Sequence, residues 1–154
     1  MPGKYYKQIA ENRRARHEYE IIEVYKAGVV LKGSEVKSVR LGKVNLRESF
    51  ARVEGEELWL WGVHISPYEK SRAKESDPTR PRKLLLKSGE LKKLIGKVSQ
   101  KGLVLIPLKI YFDRDWAKVD LALAKARKKH DKRAAIKDRE TKREIEKRLR
   151  ERNK

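Results

Sequence analysis

Hydrophobic residues along this chain are grouped in short runs, most of which alternate with polar residues as in β-strands. Residues 19–124 carry nearly all of the Val, Leu, Ile and aromatic side chains. The alternation predicts strands at 19–26, 29–32, 49–54, 57–65, 82–87, 103–112 and 117–124. Residues 27–28 are predicted as a turn, and Gly55 as the tip of a hairpin. Six or seven short strands with two small helices favour a closed or nearly closed barrel.

Two short helices are predicted between these strands. The first covers residues 35–41, with Ser34 as its N-cap and with Val36 and Val39 facing inward. The second begins at Ser88, because the apolar residues that follow are spaced i, i+3, i+4, i+7. These residues are Leu91, Leu94, Ile95 and Val98.

The last thirty residues differ in composition from the rest of the chain. Residues 125–154 contain fifteen Lys or Arg and six Asp or Glu, which gives +9 of the formal net charge of +19. Their large apolar side chains are Ile136, Ile145 and Leu149. Such a segment gains little from burial, so it is expected to stay mobile until a polyanion neutralises it. We therefore divide the chain into a basic N-terminal arm (1–17), a barrel (18–124) and a basic tail (125–154).

Charge and residue content narrow the class of function. A strongly basic chain points to nucleic acid as the partner, and the absence of any run of 18 apolar residues argues against a membrane span. The chain has no cysteine and its first residues lack an apolar leader segment, which favours a cytoplasmic location. Its histidines, His17, His64 and His130, are far apart. Neither a metal centre nor a cofactor is expected.

Three basic clusters are candidates for phosphate contact. Arg80, Arg82 and Lys83 lie where the long connector 66–81 meets a strand, a position that holds side chains on a rigid base. A charged edge that blocks strand pairing would have a similar composition.

The second cluster is Arg13, Arg14 and Arg16, next to Asn12, which can hydrogen-bond to bases. The third is Lys37, Arg40 and Lys43, of which Lys37 and Arg40 are three residues apart and share a helix face. For this pair, the alternative interpretation is an ordinary solvated helix face that binds no ligand.

Four segments together resemble one protein family. Residues 12–19 (NRRARHEY), 33–40 (GSEVKSVR), 77–86 (DPTRPRKLLL) and 128–133 (KKHDKR) are similar, in order and spacing, to the motifs of SmpB, the SsrA-binding family of bacterial trans-translation. The resemblance covers nearly the whole chain. It implies an OB-like antiparallel β-barrel with a C-terminal tail that is disordered when free and helical when bound.

The resemblance also implies partners and a role without chemistry of its own. The partners would be the tRNA-like domain of tmRNA, elongation factor Tu carrying alanyl-tmRNA, and the stalled ribosome. The barrel would stand where the anticodon arm of a tRNA lies, and the tail would enter the empty mRNA channel at the decoding centre.

Individual residues carry this correspondence. Asn12 and Leu85 match positions that contact the tmRNA elbow, and basic residues around them would bind phosphates: Arg13, Arg14, Arg16, Lys37, Arg40, Arg80, Arg82 and Lys83. A second set would face the ribosome, with the histidine stacking on a decoding-centre base. This set comprises Lys118, Lys128, His130, Asp131, Lys132, Arg133, Ile136 and Ile145.

Two residues depart from the family pattern. Lys26 stands where an acidic residue that contacts tmRNA is common, which puts that contact in doubt. Ala126 replaces a glycine that usually precedes the basic hinge, so the tail is expected to leave the barrel less flexibly.

Two other classes of function stay open on the sequence. A generic OB-type binder of single-stranded RNA, or a ribosomal protein, would stack bases on Trp59, Trp61, Tyr111 and Trp116. For Trp59 and Trp61 the surrounding apolar strands favour core packing instead. A nuclease would need Asp113, Asp115 and Asp120 as metal ligands, but no general base accompanies them.

Overall fold

Short strands alternate with three small helices around a single ring of sheet. The computed structural model describes residues 6–68, 77–100, 102–127 and 140–150. The strands are β1 Tyr6–Glu11, β2 Tyr19–Val29, β3 Val44–Asn45, β4 Phe50–Glu54, β5 Glu57–Trp61, β6 His64–Ile65, β7 Arg82–Leu85, β8 Leu103–Asp113 and β9 Trp116–Ala126. The helices are α1 Ala15–Glu18, α2 Gly33–Arg40 and α3 Ser88–Val98, and residues 140–150 are also helical.

The strands close into a barrel, as the sequence predicts. The ring runs β8–β4–β5–β7–β2–β9 and returns to β8, with antiparallel pairing throughout. Strands β3 and β6 form a separate two-stranded sheet. Closure leaves no free edge in the ring, which removes the hazard of edge-to-edge association.

Strand β8 holds the ring together because it pairs with three strands. Along one edge it runs beside β9 for its whole length. On the other edge Leu105 pairs with Ala51 of β4, while residues 109–113 pair with β1. Pro107 lies where β8 changes partner from β4 to β1. A proline is tolerated at such a place because its missing N–H is not needed by the ladder.

The core fills the barrel and the space beneath two helices. Leu58, Leu60 and Leu121 are at most 1% exposed in its centre. Val39 of α2 and Leu94 of α3 are fully buried against it, which confirms the inward faces that their spacing predicts. Both helices begin close to the predicted sites, and Lys32 and Lys87 occupy their N-cap positions.

Several local predictions are wrong. The N-caps are Lys32 and Lys87 rather than Ser34 and Ser88, and no separate strand forms at 29–32, because β2 ends at Val29. Residues 27–28 form no turn, because β2 continues through them to Val29, with Ala27 fully buried. Trp59 and Trp61 do not enter the core, since they alternate with the buried Leu58 and Leu60 and so face outward, half-buried.

Three short elements were not predicted, and one of them is strand β3, Val44–Asn45. Strand β1 forms within the segment assigned to the N-terminal arm, and the single turn of helix α1 follows it. Strand β1 therefore continues the sheet on the outer edge of β8 rather than projecting from it.

Candidate nucleic-acid interface

An exposed leucine and a lysine lie on the two strands that flank β2 on the barrel's outer face. Leu85 of β7 pairs with Gly28 of β2, and Gly28 in turn pairs with Lys118 of β9. Leu85 is 51% exposed, whereas the preceding residue, Leu84, is buried. Gly28 adds no side chain between them, and the Leu85 side chain lies close to its backbone, since a Cβ at Gly28 would be 3.6 Å from Leu85 Cβ.

The β8–β9 turn extends this face toward α2. Trp116, the first residue of β9, is 73% exposed. Lys118 Nζ lies 3.2 Å from Asp113 Oδ2, and Arg40 of α2 reaches Asp115 across the turn, with Nη2 3.7 Å from Oδ1. The Arg40 guanidinium also lies over the Phe112 ring, 4.8 Å from its centre.

We call Arg40, Leu85, Trp116 and Lys118 the α2 surface. It combines two exposed apolar side chains with two cations, the pairing that single-stranded or elbow-shaped RNA requires for stacking and phosphate contact. Lys37 lies on the same helix as Arg40, with its ammonium 5.3 Å from the centre of the Tyr68 ring. The sequence indicated Trp116 only as part of a generic stacking platform.

A buried carboxylate organises the loop behind this surface. Glu35, in the first turn of α2, is 4% exposed and accepts a 2.8 Å hydrogen bond from the Lys32 N–H. Arg82 donates to Glu35 Oε2 from Nε at 2.9 Å and from Nη2 at 2.6 Å. Arg80 pairs with the other oxygen of Glu35.

This network corrects the role predicted for Arg82. Arg82 is 1% exposed, and its remaining N–H groups donate to the carbonyls of Val63 at 2.5 Å and Pro78 at 2.9 Å. A guanidinium so enclosed and so fully bonded cannot reach an RNA phosphate. Arg82 therefore fixes the 77–81 segment to α2, and Arg80, 23% exposed, keeps only part of its surface for a ligand.

The pKa of Glu35 reflects this arrangement. Burial alone would raise the pKa of the carboxyl group, but the hydrogen bonds from Arg80, the Lys32 N–H and Arg82 outweigh burial and lower it. The carboxylate is thus charged at neutral pH and offsets two arginines. The sequence analysis missed Glu35, whose only signal is an acidic residue in the first turn of a helix.

Lys83 lies apart from the α2 surface. It faces outward from β7, opposite Trp59 of β5, and its Nζ lies 3.4 Å from Glu57 Oε1. Both partners are 40–50% exposed, so the ion pair adds little stability and leaves Lys83 available to a phosphate.

The second basic face surrounds α1. Arg13, Arg14 and Arg16 are exposed. Asn12 is anchored beside them, because its backbone N–H donates to the Leu108 carbonyl at 2.7 Å and its Nδ2 donates to the Pro107 carbonyl at 3.4 Å. We call these four residues, Asn12, Arg13, Arg14 and Arg16, the α1 surface.

The two surfaces lie near opposite ends of β2. Tyr19 follows α1 directly, whereas Gly28 adjoins the α2 surface. Nine residue steps of extended strand span roughly 30 Å. The structure therefore does not gather all the predicted RNA-binding residues into one patch, and an RNA that engages both surfaces must be long or bent.

Most of the predicted ribosome-facing residues lie outside the described residues: Lys128, His130, Asp131, Lys132, Arg133 and Ile136. The helix at 140–150 is described, and its side chains are all exposed. Ile145 and Leu149, four residues apart on one face, are 52% and 53% exposed. Disorder of the free tail stays a prediction.

The two departures from the family pattern now have a structural setting. Lys26 is exposed on β2 and pairs across the ladder with Asp120 of β9, whose Oδ2 lies 3.6 Å from Lys109 Nζ. The carboxylate of Asp120 thus lies on the strand opposite position 26, whereas in the family pattern the acidic residue is at position 26 itself. Ala126 is the last residue of β9 and pairs with Tyr19, so the strand stays regular up to the start of the tail.

The alternative functions find little support in this geometry. Among the aromatic residues of a generic stacking platform, Tyr111 is buried and Trp61 lies beneath the Arg52 guanidinium, 5.6 Å from the ring centre. The nuclease carboxylates are dispersed over separate cations, and no group of three metal-binding side chains occurs among the described residues. None of the described helices is long and apolar enough to cross a membrane.

Comparison with known proteins identifies the family. The SmpB protein family model matches residues 9–151. The SsrA-binding protein of Carboxydothermus hydrogenoformans is 56% identical over 146 residues, covering 95% of this chain and 98% of that protein. The SsrA-binding protein of Geobacillus thermodenitrificans is 51% identical over 154 residues, covering 100% of this chain and 99% of its own.

A solved structure shares both sequence and fold. It is described as "tmRNA-SmpB: a journey to the center of the bacterial ribosome", is 54% identical and superposes with a TM-score of 0.67. The match covers 84% of this chain and 94% of the other. The predicted resemblance is confirmed, and the chain belongs to the SmpB family of SsrA-binding proteins.

Proposed function

We propose that this protein binds the tRNA-like domain of tmRNA and brings it to stalled ribosomes for trans-translation. The barrel takes the place of a tRNA anticodon arm, and the tail enters the mRNA channel when that channel is empty. Elongation factor Tu carrying alanyl-tmRNA is the expected partner in delivery. The protein needs no cofactor for this role and acts by binding alone.

The α2 surface is the observation that carries the proposal. Leu85 and Trp116 are large apolar side chains exposed to solvent, and Arg40 and Lys118 lie beside them. An RNA elbow presents unstacked base faces and converging phosphates, which are read by shape rather than by base edges. A platform flanked by cations matches those features.

The family adds the context in which this platform works. The relatives named above bear the name SsrA-binding protein, and the structural neighbour is described with tmRNA and the bacterial ribosome. Both surfaces lie entirely within the matched span of residues 9–151.

Binding of a labelled tRNA-like domain tests the proposal directly. Leu85→Ala and Trp116→Ala should each weaken binding by roughly tenfold, since one lost stacking contact costs about 1–3 kcal/mol. Ile22→Ala is a matched control, because Ile22 is also an exposed apolar residue of the barrel, 50% exposed at a bulge in β2. It should bind within twofold of the unaltered protein.

Competition decides between this function and generic RNA binding. Ordinary single-stranded RNA of equal length should compete at least tenfold less well than the tRNA-like domain. Equal competition would support a generic OB-type RNA binder and overturn the proposal.

A further inference from the structure

A cavity opens between α1 and the turn that joins β3 to β4. Its volume is about 190 Å³. Ala15 and Ile106, which are 2% and 5% exposed, line it together with Tyr19, and all three belong to a small apolar cluster separate from the main core. A cavity of about 150 Å³ holds a benzene molecule. This one therefore has room for a planar heterocycle.

Polar residues make up most of the cavity lining, around the buried Ala15 and Ile106. Among them is Asn12, whose Nδ2 donates to the Pro107 carbonyl. The Oδ1 of Asn12 accepts no hydrogen bond from the described residues and is available to an amino group. An amide oxygen beside a small buried apolar surface suits a base that carries an exocyclic amino group.

Two cations stand at the rim, one from each wall. Arg14 comes from the N-terminal side, next to α1, and Arg47 from the β3–β4 turn; both are exposed. Neither forms an ion pair with a carboxylate in the described part of the chain. Glu18 and Glu48 also line the cavity, so the site is not suited to a small free anion. The buried apolar surface of Ala15 and Ile106 and the two exposed arginines together fit a base attached to a phosphate backbone.

The β3–β4 wall is held in a strained shape. Glu48 has a φ of 62°, in the left-handed region that costs energy for a residue with a side chain. Gly62 packs so closely against this turn that a Cβ there would lie 2.9 Å from the Glu48 carbonyl oxygen. Ser49 is buried and donates to the Leu46 carbonyl at 2.5 Å. Strain maintained by such packing is typical of ligand sites.

We propose that this cavity receives a single unpaired base of the bound RNA, one with an exocyclic amino group, while Arg14 and Arg47 hold the flanking phosphates. This inference rests on the proposed function for the identity of the RNA. It adds a pocket that holds a single base and disfavours uracil, whereas the other surfaces recognise shape and charge. Arg47, from the β3–β4 turn, then belongs to the interface although no basic cluster in the sequence includes it.

The test uses tRNA-like-domain RNAs in which each unpaired nucleotide in turn is replaced by an abasic site. At one position, the abasic site should weaken binding to the full-length protein by roughly tenfold. Uridine at that position should restore little of the lost affinity. Ala15→Leu, which fills the cavity, should weaken binding of intact RNA by a similar factor and show no further loss with that abasic RNA. Its melting temperature should match that of the unaltered protein.

If Ala15→Leu folds poorly, a surface variant still tests the proposal. Arg47→Ala should weaken binding several-fold, whereas Lys92→Ala, an equal loss of charge at an exposed site on α3, should change it less than twofold. If no abasic position couples to Ala15→Leu and Arg47→Ala behaves like Lys92→Ala, the pocket is not a base site. That result leaves the proposed function intact, because the proposed function depends on tighter binding of the tRNA-like domain than of single-stranded RNA.

Discussion

At the scale of single residues, this protein uses arginine in two distinct ways. Arg82 is buried and donates its hydrogen bonds to Glu35 and to backbone carbonyls, whereas Arg40 is half-exposed and lies over the Phe112 ring. Both occur in basic segments of the sequence, and composition alone cannot separate them. Their difference comes from the single buried carboxylate of Glu35, which draws one cluster inward.

Glu35→Gln should destabilise the fold strongly. The change leaves the buried Arg82 without a counter-charge, and breaking a buried pair from one side costs about 3 kcal/mol. Chemical denaturation at pH 7 would measure the loss in unfolding free energy. Retention of full stability would mean that the carbonyls of Val63 and Pro78 alone satisfy the guanidinium.

The same variant should respond less to acid. A carboxyl whose pKa is lower in the folded than in the unfolded state adds stability above its unfolded value, and this contribution is lost as the pH falls through the folded pKa. The pKa of Glu35 lies below its ordinary value of 4.5. The gap in unfolding free energy between the unaltered protein and Glu35→Gln should therefore narrow below about pH 4.5 and stay constant above it.

At the scale of elements, alternating charges run across neighbouring strands. Lys26 of β2 pairs with Asp120 of β9, and Asp120 pairs with Lys109 of β8. Lys109 lies opposite Glu11 of β1, so the row extends over four strands. Opposite charges placed directly across a ladder favour the native register.

Asp120→Asn should cost about 1 kcal/mol of unfolding free energy, because Lys26 and Lys109 would then face one another without the intervening carboxylate. Asp115→Asn serves as its control, since Asp115 is 97% exposed and lies 3.7 Å from Arg40. That variant should leave stability unchanged in the same thermal or denaturant titration. Equal effects of the two changes would show that the row adds no specific stabilisation.

Sequence patterns predicted some of the helices and strands but not others. The amphipathic stripe of α3 and the hairpin at Gly55 were predictable, because local periodicity and turn chemistry determine them. The uninterrupted path of β2 through Gly28 was not, since glycine there serves close packing between strands rather than a turn. Strand β1 shows no strict alternation of apolar and polar residues, and its pairing depends on the edge that β8 offers, which no local pattern specifies.

The candidate site was predictable to a similar degree. Motif order pointed to Arg40 and Leu85, which are exposed, and to Asn12, which is partly buried; their contact with RNA stays a prediction. The burial of Arg82 and the cavity above Ala15 depend on contacts between distant segments, which no local pattern specifies.

At the scale of the whole molecule, a closed barrel carries two basic surfaces and a highly charged tail. The net charge of +19 predicts that affinity for RNA falls steeply with salt. The log–log slope should be on the order of −0.7 to −0.9 per phosphate contacted.

Removing residues 131–154 should leave affinity for the tRNA-like domain within a few-fold, because the α1 and α2 surfaces remain. Binding titrations of the full chain and the truncated chain at several salt concentrations would measure both effects. A large loss on truncation would make the tail the main tmRNA-binding element.

The tail should matter at a later step. Asp131→Ala combined with Lys132→Ala and Arg133→Ala should leave tRNA-like-domain affinity nearly intact but abolish peptidyl transfer to alanyl-tmRNA on ribosomes stalled without a downstream codon. Ile136→Asp and Ile145→Asp should impair transfer more weakly, by removing apolar contacts that the tail helix would make in the channel. Normal transfer by the triple variant would contradict a role for the hinge in reading the vacant channel.

The end of the barrel links the two working parts of the protein. The Arg127 N–H donates to the Glu18 carbonyl at 2.9 Å, which ties the chain just beyond β9 to the last residue of α1. The last residue described before the tail is therefore bonded to the helix that carries the α1 surface. Under the proposed function, an RNA that shifts α1 would shift Arg127 as well, so that binding at one end of the barrel would be transmitted to the base of the tail.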